Sequence, residues 1–268
     1  MDSQKNFSLA LGGWGARWLA HIGVIRRLEE LGVQPVAISW TSMWAIVAAL
    51  YAIGKTSLEM EQIIASLSLM KLIDVDMWQW LIKWDKVEKY LDTILESKTF
   101  NDTLIPLKIL CTDLNTGKSI IFQSWPLSLA IRVSIWLPGV FVPKNIKNIE
   151  YIDGGITANL PIEVLPKWPV IAVSALRDIT RPIKHKTKIF NWEVPIGIFA
   201  HTYQVMQKTI EIMLLQNESR SILSRKNILY IRPKFDTLDY YEFDKYLYFI
   251  KAGYIASSEI ENFLTCEK

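Results

Sequence analysis

Residues 7–54 read FSLALGGWGARWLAHIGVIRRLEELGVQPVAISWTSMWAIVAALYAIG, and their periodicity decides the fold. The apolar run at 7–11 stops at Gly12-Gly13, as a strand does on meeting a tight turn. Leu19, Ile22, Ile25, Leu28 and Leu31 then recur at helical spacing. Arg26, Arg27, Glu29 and Glu30 fill the opposite face, and Gly32 supplies the stop expected just past a helix end. Residues 36–39 are a second short apolar run. Residues 43–53 are almost wholly apolar and end at Gly54, which predicts a helix buried on most sides. A β-α-β-α opening of this kind predicts a three-layer α/β/α domain with a mainly parallel central sheet.

The rest of the chain continues that pattern. Helices are expected at 83–95, at 126–134 with Pro126 in the first turn, at 196–223, and over 242–264 with a break near Gly253. Strands are expected at 107–111 and 119–122, joined through Asn115-Thr116-Gly117, then at 151–152, 170–174 and 228–231. There is no internal repeat or low-complexity linker, so 1–268 reads as a single domain.

Composition narrows the function classes. Half of the 268 residues are apolar, 21% are charged and the net charge is +3. The chain can bury a core, is not disordered, and lacks the basic excess of a nucleic-acid binder. Cys111 and Cys266 make no disulfide framework. His21, His185 and His201 have no metal-ligand spacing, so neither metal nor cofactor is expected. Residues 1–6 are polar and Arg17 interrupts the apolar stretch after them, unlike a signal peptide. The uncharged stretch 36–53 reaches 18 residues but reads as a strand and a buried helix, not a membrane span. A cytoplasmic protein is the expectation.

Three places carry residues fit for chemistry. The loop at 12–18, with Gly13, Trp14, Gly15 and Arg17, joins a strand to a helix. Its backbone N–H groups can form a nest for a phosphate or an oxyanion, although a plain tight turn has the same signature. Residues 40–44, Trp40-Thr41-Ser42-Met43-Trp44, put a serine on a strand-to-helix bend. That is the setting of the nucleophile elbow G-x-S-x-G, and also of an ordinary serine N-cap. Residues 153–155, Asp153-Gly154-Gly155, put an acid at a strand end, as a general base or as a simple turn. Together they supply the oxyanion donors, nucleophile and base that acyl transfer needs.

On these motifs the chain resembles the patatin-like phospholipases, serine acyl hydrolases with a Ser–Asp dyad. The family patterns are G-G-G-x-R-G, G-x-S-x-G and D-G-G or D-G-A. The likeness continues through residues 138–143 (PGVFVP), Asn159-Leu160-Pro161 and Ile231-Arg232-Pro233. The resemblance implies Ser42 as nucleophile and Asp153 as base. It places the oxyanion hole at the backbone of Gly13, Trp14 and Gly15, supported by Arg17, and makes His21 structural. It also implies a lipid or other acyl-ester substrate of the phospholipase A or lysophospholipase type. Bilayer contact would be peripheral, with 196–223 one candidate surface. The resemblance implies no oligomeric state.

Trp14, Trp18, Trp40 and Trp44 stand where the family pattern has glycine. Trp125 does so as well, and Trp84 and Trp168 fall in expected turns. The chain has 12 glycines and 11 tryptophans, where average usage gives about 19 glycines. Some bacterial lineages decode UGA as glycine and others as tryptophan, and reading the first kind of gene by the second code produces this pattern. If the tryptophans are instead genuine, they should crowd Ser42 and the anion nest. The expectation is then an inactive lipid-binding or scaffold relative. A dinucleotide-binding oxidoreductase would explain Gly13 and Gly15, but no acid follows at the end of the second strand.

Overall fold

The computed structural model describes residues 6–42, 45–66, 74–76, 81–83, 85–134, 144–176, 187–189, 192–194, 198–235 and 242–265. Met43, Trp44, Trp84, the family-like stretch 138–143 and a chance S-x-x-K at 68–71 lie outside these residues.

Strand β1 (Ser8–Gly13) pairs in parallel with β2 (Ala37–Thr41). Between them runs a 3₁₀ turn, Gly15–Leu19, and then helix α1 (Ala20–Glu30). Gly32 follows with φ +65°, the left-handed stop its sequence position implies. Helix α2 (Ala45–Ala52) is buried at all eight residues, as its apolar composition requires. Helices α3 (Ser57–Ser66) and α4 (Asp85–Ile94) follow, on either side of a short hairpin of β3 (Asp74–Asp76) and β4 (Leu81–Lys83).

Strand β5 (Leu107–Asp113) extends the parallel ladder beside β2, and β6 (Ser119–Phe122) folds back on it. Helix α5 (Leu127–Ser134) leads towards an antiparallel pair, β7 (Lys144–Ile146) and β8 (Ile149–Asp153), the second of which also pairs with β5. After the one-turn helix α6 (Gly155–Ala158), β9 (Val170–Ala175) returns to the sheet on the other side of β1. A hairpin of β10 (Thr187–Ile189) and β11 (Trp192–Val194), the long helix α7 (Ile198–Leu223) and β12 (Ile228–Ile231) follow. Helices α8 (Tyr246–Ala256) and α9 (Ile260–Thr265) close the described residues.

The main sheet runs β12-β9-β1-β2-β5-β8-β7, with β6 also on β5. The five strands from β12 to β5 are parallel, and the β6, β7 and β8 pairings are antiparallel. The fold is thus a three-layer α/β/α arrangement on a mixed, mainly parallel sheet. The larger core contains Leu9, Leu11, Ile38 and Trp40 from the strands with residues of α1, α2 and α8. The opposite face holds a smaller cluster of Ala10, Ala37, Leu160, Ile162, Leu165, Val170 and Ala172, with Ile222 of α7 against it.

One helix boundary departs from expectation. The break does not fall at Gly253, which lies inside α8, but after Ala256. Gly253 is there for packing. A Cβ on it would overlap the backbone carbonyl of Ala20, and one on Gly23 would overlap that of Ile250. The two glycines let α1 and α8 cross almost backbone to backbone, a role that looks like a helix breaker in sequence.

Candidate active site

Ser42 follows the last residue of β2 and has φ +72°. A left-handed serine is uncommon and costs on the order of 1 kcal/mol or more, so the surrounding structure must hold it there. The holding contact is Ser134 at the end of α5. Its Oγ accepts the Ser42 backbone N–H at 2.7 Å and donates to the Leu110 carbonyl at 2.7 Å. The strained dihedral falls on the serine itself. Trp40 lies within the extended strand β2 and Trp14 is also extended, at φ −155°. Glycine at those two positions is therefore not demanded by backbone conformation. What remains is packing.

Ser42 Oγ donates a hydrogen bond to Asp153 Oδ2. The other carboxylate oxygen, Oδ1, accepts the Gly155 N–H at 2.7 Å, and Thr112 Oγ1 donates to the Asp153 carbonyl at 3.1 Å. Both Ser42 and Asp153 are buried. Burial pushes the Asp153 carboxyl up to about 7, against the opposing pull of its bonds from Ser42 and Gly155. A carboxylate poised near neutrality is suited to take and return a proton. Gly154 packs where a Cβ would overlap the Leu110 carbonyl, and a Cβ on Gly155 would come within 3.1 Å of Asp153 Oδ1. Both glycines of 153–155 thus serve close approach.

The loop at 12–18 lies at the end of neighbouring β1. Gly13 and Gly15 have φ +149° and +71°, conformations that favour glycine. Gly12 is gripped on two sides: His21 Nε2 lies 3.1 Å from its carbonyl oxygen, and a Cβ on it would overlap the Asn159 carbonyl. Burial drives the His21 pKa down to about 3, so its ring is neutral at ordinary pH. Arg17 is buried behind the loop, with its guanidinium 5.6 Å from the centroid of the Phe235 ring.

Trp14, Trp18 and Trp40 are all buried in the main core. Trp40 is fully enclosed and meets the edge of His21 at 5.0 Å between ring centroids, and its indole N–H has no acceptor among the described residues. Trp125 stacks on Phe122 at 4.3 Å, and Trp168 is 46% exposed in a turn. The structure therefore brings Ser42, Asp153, Gly154 and Gly155 into one constellation and sets the 12–18 loop at the end of the strand beside β2. Sequence reading missed Ser134, and quoted Asn159 only as part of the family likeness with no role. Each is a short polar side chain in an apolar context, and only tertiary contacts reveal what it holds.

The chain belongs to the patatin-like phospholipase family, which matches residues 9–166. It is 34% identical over 182 residues to an uncharacterised NTE family protein of Mycobacterium tuberculosis, covering 67% of this chain and 49% of that protein. The chain thus spans about half the length of the mycobacterial relatives it matches. The uncharacterised protein YqhO of Bacillus subtilis is 28% identical over 259 residues, covering 82% of this chain and 84% of that one. Among solved structures, VipD from Legionella pneumophila superposes with a TM-score of 0.67 at 16% identity, covering 98% of this chain and 67% of VipD. The type III effector protein ExoU does so at 0.52 and 13%, covering 98% and 54%. These last two likenesses bear on fold. No helix among the described residues is long and apolar enough to cross a membrane.

Proposed function

We propose that the protein hydrolyses lipid acyl esters, as a phospholipase A or lysophospholipase, through a Ser42–Asp153 dyad and a covalent acyl-enzyme. The observation that carries this reading is the hydrogen bond from Ser42 Oγ to Asp153 at a serine held in left-handed conformation. Asp153 accepts the Ser42 proton as Oγ attacks the ester carbonyl, and the backbone of Gly13, Trp14 and Gly15 binds the developing oxyanion. The proton passes to the departing alcohol. Water then attacks the acyl-enzyme with Asp153 again as base, releasing the fatty acid and restoring Ser42. Arg17 supports the loop from the core side. No metal or cofactor enters the scheme. Contact with a bilayer is peripheral, and the exposed Val205, Ile212 and Met213 of α7 are candidates for it.

The same reading takes positions 14, 18, 40 and 44 to be glycine in the functional protein, encoded by UGA. Trp40 supports it: its fully buried indole N–H has no acceptor among the described residues, which costs about 1–3 kcal/mol, and a glycine has no such group. The test is a fluorophosphonate probe and a short-chain ester, applied to the tryptophan chain and to the chain with glycine at all four positions. Labelling at Ser42 and turnover in the glycine chain are expected. No labelling there would overturn the hydrolase reading and leave a lipid-binding or scaffold protein. UGG codons at the four positions would overturn the glycine assignment.

A further inference from the structure

Helix α7 has an unusual buried face. Gln207, Glu211, Leu214, Glu218 and Ser221 recur at steps of three and four and are buried, whereas Val205, Ile212 and Met213 are exposed. A helix that turns polar groups inward needs partners for them. Those of Glu218 lie on three separate elements. Its Oε2 accepts Asn159 Nδ2 and Ser174 Oγ, each at 2.9 Å, and its Oε1 accepts the Tyr230 hydroxyl at 2.5 Å.

Two of these donors stand beside the oxyanion loop. Ser174 is level with Gly12 across the β1–β9 ladder, and Ala175 is level with Gly13 and packs against it. Asn159 presents its carbonyl to Gly12. The same helix also reaches the other half of the site. Leu214 packs over Gly155, whose N–H binds Asp153, and Asn217 Nδ2 donates to the Ile156 carbonyl at 2.6 Å.

We infer that Glu218 is a positioning residue for the reaction centre: through Asn159 and Ser174 it fixes the segment after Asp153 against the oxyanion loop. It touches no reacting atom. The inference rests on the hydrolase reading above. Tyr230 makes a useful contrast, because it binds the other carboxylate oxygen from edge strand β12, which is separated from β2 by both β9 and β1.

The test uses the full chain with glycine at 14, 18, 40 and 44, measuring Tm, kcat and KM on a short-chain ester, and the rate of fluorophosphonate labelling. Glu218→Leu should lower kcat and the labelling rate together, by about 10- to 100-fold, with KM little changed. Glu218→Gln should rescue both, because one amide oxygen can accept Asn159 and Ser174 while the amide nitrogen donates to Tyr230. Tyr230→Phe should lower Tm and leave kcat unchanged. Asn159→Ala, which keeps the Glu218–Ser174 bond, should also lower kcat and serves where Glu218→Leu does not fold. Unchanged kcat in Glu218→Leu or Asn159→Ala would overturn the inference, as would a kcat loss in Tyr230→Phe equal to theirs at equal Tm. A parent that fails to label at Ser42 defeats the hydrolase reading. A parent that labels, with indifferent Glu218 and Asn159 variants, defeats only this inference.

Discussion

Ser42 and Asp153 stand at one level of the sheet, on opposite sides of β5. Thr41 is level with Leu110, which puts Ser42 beside Cys111, and Cys111 is level with Asp153 across the antiparallel β5–β8 pair. Only β5 lies between the strands that carry them, and the two side chains meet directly in a hydrogen bond. Because β8 is antiparallel to β5, it runs from Tyr151 at the level of Asp113 to Asp153 at the level of Cys111.

Removal of either partner should abolish turnover. Ser42→Ala deletes the attacking oxygen, and Asp153→Asn keeps the shape while deleting the base. In the glycine chain each should lower kcat by on the order of 10⁴-fold or more, read by ester hydrolysis. Ser42→Ala should also lose fluorophosphonate labelling. Retained rates in either variant would sink the dyad.

The pH dependence has a definite sign. Asp153 must be ionised to act, so kcat/KM should rise with pH through an apparent pKa near 7. Stability runs the opposite way. The folded-state value lies above the ordinary 3.8, so the neutral carboxyl is favoured on folding. That contribution is full below about pH 4 and is lost as pH rises through 7. Asp153→Asn, neutral throughout, should therefore gain stability relative to its parent between pH 4 and 8, by on the order of a few kcal/mol. Denaturant titrations across that range measure it, and a flat difference would show that Asp153 is not held neutral by burial.

Ser134 offers a prediction that the motifs alone would not suggest. Ser134→Ala leaves the Ser42 N–H and the Leu110 carbonyl without this shared partner. The cost should be about 1–3 kcal/mol in stability, with a fall in labelling rate as the left-handed serine relaxes. Ser134→Thr retains the hydroxyl and should restore much of both. Equal labelling by Ser134→Ala and its parent would show that the bend holds itself.

The parts legible in sequence were the local ones. The β-α-β-α opening, the all-buried α2 and the two glycine-bearing turns follow from periodicity and from residues within a few positions of one another. Strand direction at β8 did not, because it depends on a pairing with β5 some 40 residues earlier. Gly253 misled because a glycine that permits helix crossing and one that ends a helix are the same letter. Asn159, Ser134 and Glu218 were hidden for a related reason: their hydrogen bonds come from elements distant in the chain. Glu218 was further obscured by a helix whose exposed side carries much of its apolar character.

Replacing tryptophan by glycine at 14, 18, 40 and 44 gives the most decisive outcome, because the two readings differ in sign. If the tryptophans are native, Trp14, Trp18 and Trp40 are core residues, and truncating each leaves a cavity worth about 3–5 kcal/mol. Tm should then fall steeply and activity should not appear. If glycine is native, its removal from the core is the perturbation. The substitutions then remove the enclosed Trp40 indole N–H, which has no acceptor among the described residues. The expected result is a glycine chain whose Tm equals or exceeds that of the tryptophan chain and which hydrolyses esters where the tryptophan chain does not. Trp168→Gly, at an exposed turn, is the control and should change Tm little in either case. A four-position variant that loses Tm and gains no turnover would establish tryptophan as the native residue and remove the basis for the elbow as drawn.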